Sequence, residues 1–76
     1  MSTKSDKILE LVPLGSTCNV PDLTRIIYPD VKEWDYQSAK GRVQASIQSL
    51  QKYGYFRKKG IIKKGQYKVV EWERIA

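Results

Sequence analysis

The sequence has no histidine and a single cysteine, Cys18, which limits the chemistry that its side chains can perform. One cysteine cannot close a disulfide within the chain, and without histidine the usual zinc ligand sets cannot be assembled. A catalytic cysteine–histidine pair is excluded for the same reason, and no glycine-rich loop is present to cradle phosphates. We therefore expect no metal, no cofactor and no catalytic residue, and we expect that the protein is not an enzyme.

Long apolar runs are also absent, and the first residues do not place an apolar stretch behind a basic one. The sequence thus predicts neither a membrane-spanning helix nor a signal peptide, and no membrane partner. A lone cysteine fits a reducing compartment. We expect a cytoplasmic or nucleoid-associated protein, with residues 1–76 forming one domain and residues 1–4 a flexible N-terminus.

Acidic residues are missing from the segment 36–68, which carries nine lysines or arginines. The preceding residues, 1–35, hold six acids and four bases and are close to neutral. A surface that served only solubility would mix both signs, whereas a block of one sign indicates a polyanionic partner.

Apolar residues at helical spacing predict a first helix over residues 5–13, with Ser5 as its N-cap. The residues of its buried stripe are Ile8, Leu11 and Val12. Residues 17–19 then form a short extended segment, in which Cys18 is expected to belong to the core.

Asn19 is a favourable N-cap for a second helix over residues 20–28. Pro21 fits the first turn of this helix, and Asp22 can complete a capping box. Pro29 stops the helix, because the residue before a proline avoids the helical conformation.

The strongest periodicity predicts a third helix over residues 36–53, capped by Asp35 and ended by Gly54. Its apolar stripe contains Tyr36, Ala39, Val43, Ile47 and Leu50. The aromatic and β-branched residues that follow predict a hairpin over 55–73. Two turns fit the sequence: Lys64-Gly65 as a two-residue turn, which we favour, or a longer loop over 59–65.

The two-residue turn would pair Ile62 with Tyr67 and Lys58 with Glu71. In that register Lys58 can pair with Glu71, or Arg57 can stack on Trp72, in a structural role. Four aromatic side chains could stack on nucleobases, namely Trp34, Tyr36, Tyr53 and Trp72. Aromatic side chains in a small domain more often pack into the core, which is what we expect of them.

The order helix, short strand, helix, helix, hairpin resembles the winged helix-turn-helix family, as does the segment "VQASIQSLQKYGYF" at 43–56. There an aliphatic residue, a leucine, a glycine and two apolar residues follow the spacing with which recognition helices of that family end. The segment "CNVPDLTRII" is similar to the family's short strand, cap and second helix. The link "YPDVKEWD" is longer than the usual turn. The resemblance implies a small α+β domain of order α-β-α-α-β-β.

The resemblance also implies a function, binding of double-stranded DNA by a small transcription regulator. The third helix would enter the major groove and the hairpin, or wing, would lie along the phosphate backbone. Small stand-alone modules of this kind are common among phage, plasmid and archaeal regulators. One acid-free block covering both elements is what phosphate repulsion would favour.

The exposed face of the third helix supplies the candidate base-reading residues, because glutamine can bridge adenine and arginine guanine. These residues are Gln37, Ser38, Gly41, Arg42, Gln44, Ala45 and Gln48. The candidate phosphate contacts are Lys40, Lys52, Arg57, Lys58, Lys59, Lys63, Lys64 and Lys68.

Other functions compatible with the same residues are a protein-interaction module, a small inhibitor of a nucleic-acid-processing complex, and RNA binding. Every element is needed to close the small core, so we expect a monomer in free solution, or at most a weak dimer. On DNA, a second copy or a partner protein would add specificity. The contacts for it would be Ile61 and Ile62, or the acidic residues Asp30 and Glu33.

Overall fold

The computed structural model describes residues 3–76, and its elements follow the predicted order. The elements are α1 (Thr3–Leu11), β1 (Thr17–Cys18), α2 (Val20–Ile27), a 3-10 turn (Glu33–Asp35), α3 (Tyr36–Lys52), β2 (Phe56–Lys64) and β3 (Tyr67–Arg74). The strands form one antiparallel sheet in the order β1-β3-β2. The predicted α+β class, with three helices and a C-terminal hairpin, is confirmed.

The core lies where the three helices meet the base of the hairpin. Its buried hydrophobic members are Ile8, Val12, Val20, Leu23, Val43, Ile47, Leu50, Phe56 and Trp72. Of the predicted α3 stripe, Ala39, Val43, Ile47 and Leu50 are buried and Tyr36 is half-buried, because side chains three and four residues apart share one helix face. None of the helices in residues 3–76 combines the length and the apolar character that a membrane crossing requires.

The predicted start of α1 was wrong by two residues. The helix already includes Thr3, so Ser5 lies inside it and is not its N-cap. Ser5 is 4% exposed and shares the buried face of α1 with Ile8 and Val12, whereas Leu11 is exposed, so its predicted place in the buried stripe was wrong. The small serine extends the buried stripe by one turn toward the N-terminus. Of the residues predicted to be flexible, Met1 and Ser2 lie outside the described part of the chain.

The predicted N-cap of α2 is confirmed. Asn19 has an extended backbone, and its side-chain oxygen accepts a hydrogen bond from the Asp22 backbone N–H at 2.9 Å. Asp22 does take part, but its carboxylate accepts from the Asn19 side-chain amide, also at 2.9 Å. The helix ends at Ile27, just before Pro29.

The predicted N-cap of α3 was wrong. Asp35 makes no side-chain capping bond, because the turn Glu33–Asp35 runs directly into the helix and gives Asp35 a helical backbone. A capping residue needs an extended backbone to direct its side chain at the free N–H groups.

The end of α3 follows the prediction closely. Gly54 has a positive φ of 87°, and its N–H donates to the Gln51 carbonyl at 3.0 Å. The N–H of Tyr55 donates to the Leu50 carbonyl at 2.9 Å. These two bonds form a Schellman motif, which turns the chain from α3 into the hairpin.

The hairpin has a two-residue turn, but the predicted position was wrong by one residue. The turn is Gly65-Gln66, with Lys64 opposite Tyr67 and Ile62 opposite Val69. Gly65 has a φ of 61° and takes the first central position, where a tight hairpin turn requires positive φ. The predicted turn would have placed a lysine there, at a steric cost.

A bulge between Lys58 and Gly60 shifts the strand register near the base of the hairpin. Below the bulge Lys58 lies opposite Trp72, so the predicted pairing of Lys58 with Glu71 was wrong. The extra residue is Lys59. A bulge of this kind bends the strand and changes which side chains face the body of the protein.

Candidate nucleic-acid interface

The predicted base-reading residues all lie on the exposed surface of α3. The buried stripe turns one side of the helix to the core and leaves the other side to solvent. The exposed side contains Gln37, Ser38, Gly41, Arg42, Gln44, Ala45 and Gln48, and Lys52 follows them near the C-terminal end. The side chains of Gly41 and Ala45 are small and project little from the helix, so a flat or convex partner can approach it closely.

A groove of about 190 Å³ separates α3 from the hairpin. Lys40, Gln44 and Gln48 line it from α3, and Lys58 and Lys68 line it from the two strands of the hairpin. The N-terminus of α2 and three apolar residues of β3 complete the lining; these residues are Val20, Pro21, Val69, Val70 and Trp72. Among the described residues that line the groove there is no carboxylate, so its charge is wholly positive.

The two faces of the hairpin carry different charges. Cross-strand partners share a face, and alternate residues face opposite sides. The inner face, toward α3, is identified by the buried Trp72 and carries Lys58, whose ammonium lies 5.8 Å from the centre of the Trp72 ring. Lys63 lies opposite Lys68 and therefore shares the inner face with it.

The outer face holds the acidic residues of the hairpin. Arg57 donates from Nε to the Glu73 carboxylate at 2.6 Å, and the Lys59 ammonium lies 3.8 Å from the Glu71 carboxylate. The predicted stacking of Arg57 on Trp72 was therefore wrong, because Lys58 occupies that position. Arg57 and Lys59 already have carboxylate partners, which compete with any external anion.

Two predicted sites stand apart from this groove. Lys63 is exposed near the hairpin turn, and Lys52 lies near the end of α3. The backbone of Lys64 belongs to β2, whereas the side chain proposed to contact phosphate lies outside what the structure describes.

The aromatic side chains divide between core and surface. Trp72 is buried as predicted and Tyr36 is half-buried. The core assignment was wrong for Trp34, which is 75% exposed, and for Tyr53, which is 69% exposed. Trp34 lies in the link before α3, and the Lys32 ammonium lies 5.2 Å from the centre of its ring.

Cys18 packs against the core next to the buried Trp72, as expected. Burial, with a smaller contribution from the nearby Glu71 carboxylate, raises the pKa of the Cys18 thiol to about 12. The thiol is therefore protonated at neutral pH and is a poor nucleophile. Among residues 3–76, no cluster of three or more His, Cys, Asp or Glu side chains is placed to hold a metal ion.

The sequence did not identify the N-terminus of α2 and Trp72 as lining of the groove, nor the ion pairs that the β3 carboxylates make on the outer face. Val20 and Pro21 were interpreted only as residues that start α2, although they also form one wall of the groove. Glu71 and Glu73 alternate along β3 opposite the alternating Arg57 and Lys59. That alternation is the signal that could have indicated an ion-paired outer face.

Comparison of the chain with protein-family models, with curated proteins and with solved structures gave no match. The function must therefore be argued from the geometry alone.

Proposed function

We propose that this protein binds double-stranded DNA, as a small regulator that inserts α3 into the major groove and lays the inner face of the hairpin along the phosphate backbone. One observation carries the proposal. The hairpin segregates its charges, so that Glu71 and Glu73 lie on the outer face while α3 and the inner face present basic residues without a carboxylate. A surface from which acids are excluded fits a polyanion.

The inner face also contains a pairing that is unfavourable in the free protein. Lys63 and Lys68 are directly opposite each other, and like charges in that position destabilise a sheet. The repulsion disappears when a negative charge lies between the two strands' side chains. A phosphate backbone running along the hairpin would supply that charge.

The dimensions of α3 suit a major groove. Its 17 residues span about 25 Å at 1.5 Å per residue, and its exposed side bears glutamine, serine, alanine and glycine with one arginine, Arg42. Glutamine and arginine are the side chains with bidentate geometry for adenine and guanine edges. The proposal therefore assigns base reading to α3 and general affinity to the lysines.

Binding to mixed-sequence duplex DNA across a salt series tests the proposal. Neutralising about four to six phosphates gives a slope of log K against log salt of roughly −4 to −5. Single-stranded RNA and double-stranded RNA of equal length serve as competitors. Duplex DNA should be retained preferentially, and an absence of binding at low salt, or a flat salt dependence, would refute the proposal.

A protein partner is the second candidate, favoured by the exposed Trp34. Its sequence neighbour Glu33 lines a hollow of about 490 Å³, together with Arg25, Tyr28, Pro29, Val31, Tyr36 and Gln37. Tryptophan is enriched among the residues that contribute most of the binding energy at protein interfaces. If DNA binding is absent, Trp34→Ala compared with Tyr53→Ala in an interaction assay addresses this alternative.

A further inference from the structure

We infer that the groove between α3 and the hairpin is a seat for one phosphate group of the bound strand, and that Gln44 and Gln48 serve this seat and do not read bases. The inference rests on the proposed function and refines it. It divides the exposed residues of α3 into a positioning set beside the hairpin and a reading set farther from it.

Three lysines from three different elements converge on the groove. Lys40 comes from α3, Lys58 from β2 and Lys68 from β3, and no carboxylate lines the space among them. Two of these lysines have neighbours that limit where their ammonium groups can lie, since Lys58 lies over the Trp72 ring and Lys68 is opposite the like charge of Lys63. An anion held among them would be attracted by all three charges.

The size of the groove also fits a phosphate group. Its volume of about 190 Å³ far exceeds the roughly 10–15 Å³ that one water needs, yet it is too small for a base pair with its sugars. The N-terminus of α2 forms one wall, through Val20 and Pro21. A phosphodiester is the part of a nucleic acid that such a site accepts.

The same geometry reassigns two glutamines. Gln44 and Gln48 are one helical turn apart and both line the groove with the lysines. Their amide N–H groups are donors for phosphate oxygens at the position where the lysines place them. Gln37, Ser38, Gly41, Arg42 and Ala45 do not line the groove, so reading of base edges falls to these residues.

The seat predicts a distinctive salt dependence. Lysines that contact three separate phosphates would each contribute about 0.9 to the slope of log K against log salt. Lysines that share one phosphate would contribute about 0.9 together. The triple variant Lys40→Gln, Lys58→Gln, Lys68→Gln should therefore lose roughly ten- to hundredfold in affinity while its slope falls by only about one.

The outer face of the hairpin provides a control. Arg57→Gln with Lys59→Gln removes two positive charges from the same hairpin but from the side with the carboxylates. Thermal unfolding of each variant checks that it remains folded at the temperature of the binding assay. We expect the control to lose less than threefold. An equal loss of affinity in the control, or a change near three in the slope of log K against log salt in the triple variant, would contradict the inference of a single phosphate seat.

The glutamines are tested by comparing one preferred duplex, selected from a random library, with a scrambled duplex. Gln44→Ala with Gln48→Ala should weaken binding to both duplexes by the same factor, whereas Arg42→Ala should weaken binding mainly to the preferred one. A loss confined to the preferred duplex in the double glutamine variant would show that these residues read bases.

A measurement without nucleic acid separates this inference from the proposed function. Inorganic phosphate, added at constant ionic strength against chloride, should shift the backbone amide resonances of Val20, Val69 and Val70 in the wild type and not in the triple variant. If DNA is bound but these shifts are absent and the triple variant matches its control, the seat alone is wrong. If the shifts occur but no duplex binds, the anion seat stands and the proposed function is wrong.

Discussion

Replacement of Arg74 should destabilise the fold strongly, although this residue lies outside the proposed interface. Arg74 ends β3, and its Nη1 donates to the carbonyl oxygens of Leu9 at 2.5 Å and Val12 at 2.9 Å. Both carbonyls lie at the C-terminal end of α1, where helix carbonyls have no partner within the helix. The guanidinium satisfies them and also complements the negative end of the helix dipole.

The backbone of Arg74 reinforces this connection. Its N–H donates to the Ser16 carbonyl at 2.9 Å, and its carbonyl accepts from the Gly15 N–H at 3.0 Å. The side chain and the backbone thus join the hairpin to the α1–β1 connection. Substitution of the side chain removes only the guanidinium bonds and leaves the backbone bonds in place.

The magnitude follows from two hydrogen bonds to a charged donor, each contributing about 1.5–3 kcal/mol when buried. Both bonds are only partly buried, so we expect Arg74→Met to lower the free energy of unfolding by about 2–3 kcal/mol in total. The free energy of unfolding of a domain of this size is roughly 4–11 kcal/mol. The corresponding fall in Tm is about 10–20 °C.

Urea and thermal unfolding followed by circular dichroism measure the effect, and Arg57→Met is the matched control. Arg57 has an ion pair with Glu73 but is 62% exposed, so its loss should cost under about 1 kcal/mol. Arg74→Lys should recover little, because a point ammonium cannot reproduce the planar fork. A loss in Arg74→Met no larger than in Arg57→Met would refute the reasoning.

Three further predictions concern the thiol, the hairpin turn and the oligomeric state. The pKa of Cys18 is raised to about 12, while an unfolded cysteine has a pKa of about 8.5, so the folded state binds the proton more tightly between these values. The free energy of unfolding should therefore fall as pH rises from about 8.5 to 12, which urea unfolding would show. In the Cys18→Ala variant the free energy of unfolding should fall less over the same pH range. Gly65→Ala should lower stability by roughly 1–2 kcal/mol in thermal melts because of the positive φ, whereas Gly60→Ala, which lacks it, should be near neutral. Sedimentation of the free protein should show a monomer; a tight dimer would indicate an interface that the fold does not reveal, and a palindromic binding site.

The sequence predicted those features whose causes are local. Asn19 caps α2 through a residue three positions away, and Gly54 ends α3 through bonds that span five residues or fewer. The stripe of α3 also depends only on spacing along one helix. Such features are encoded within a few neighbouring residues, so a pattern suffices to find them.

The features that the sequence missed depend on distant partners. Arg74 is 65 positions from Leu9, and nothing near either residue indicates that they meet. Ser5 is polar, and only its packing inside the fold reveals that it continues the buried stripe of α1. Trp34 is apolar, and only the fold shows that its link leaves it exposed.

The base of the hairpin shows how one residue of register decides the candidate site. In the predicted pairing Arg57 lay opposite Trp72 and would have faced α3, while Lys58 lay opposite Glu71. The turn at Gly65 shifts each partner along β3 by two residues and keeps the faces, whereas the bulge at Lys59 shifts it by one and reverses them, so Lys58 joins the groove and Arg57 joins the carboxylates. A shift of one residue moves a side chain to the other face of a sheet. The total charge of the hairpin is the same in both registers, but the observed register places Lys58 on the side of α3 and gives Arg57 and Lys59 carboxylate partners on the other side. The proposed DNA-binding surface therefore depends on this bulge as much as on the number of lysines.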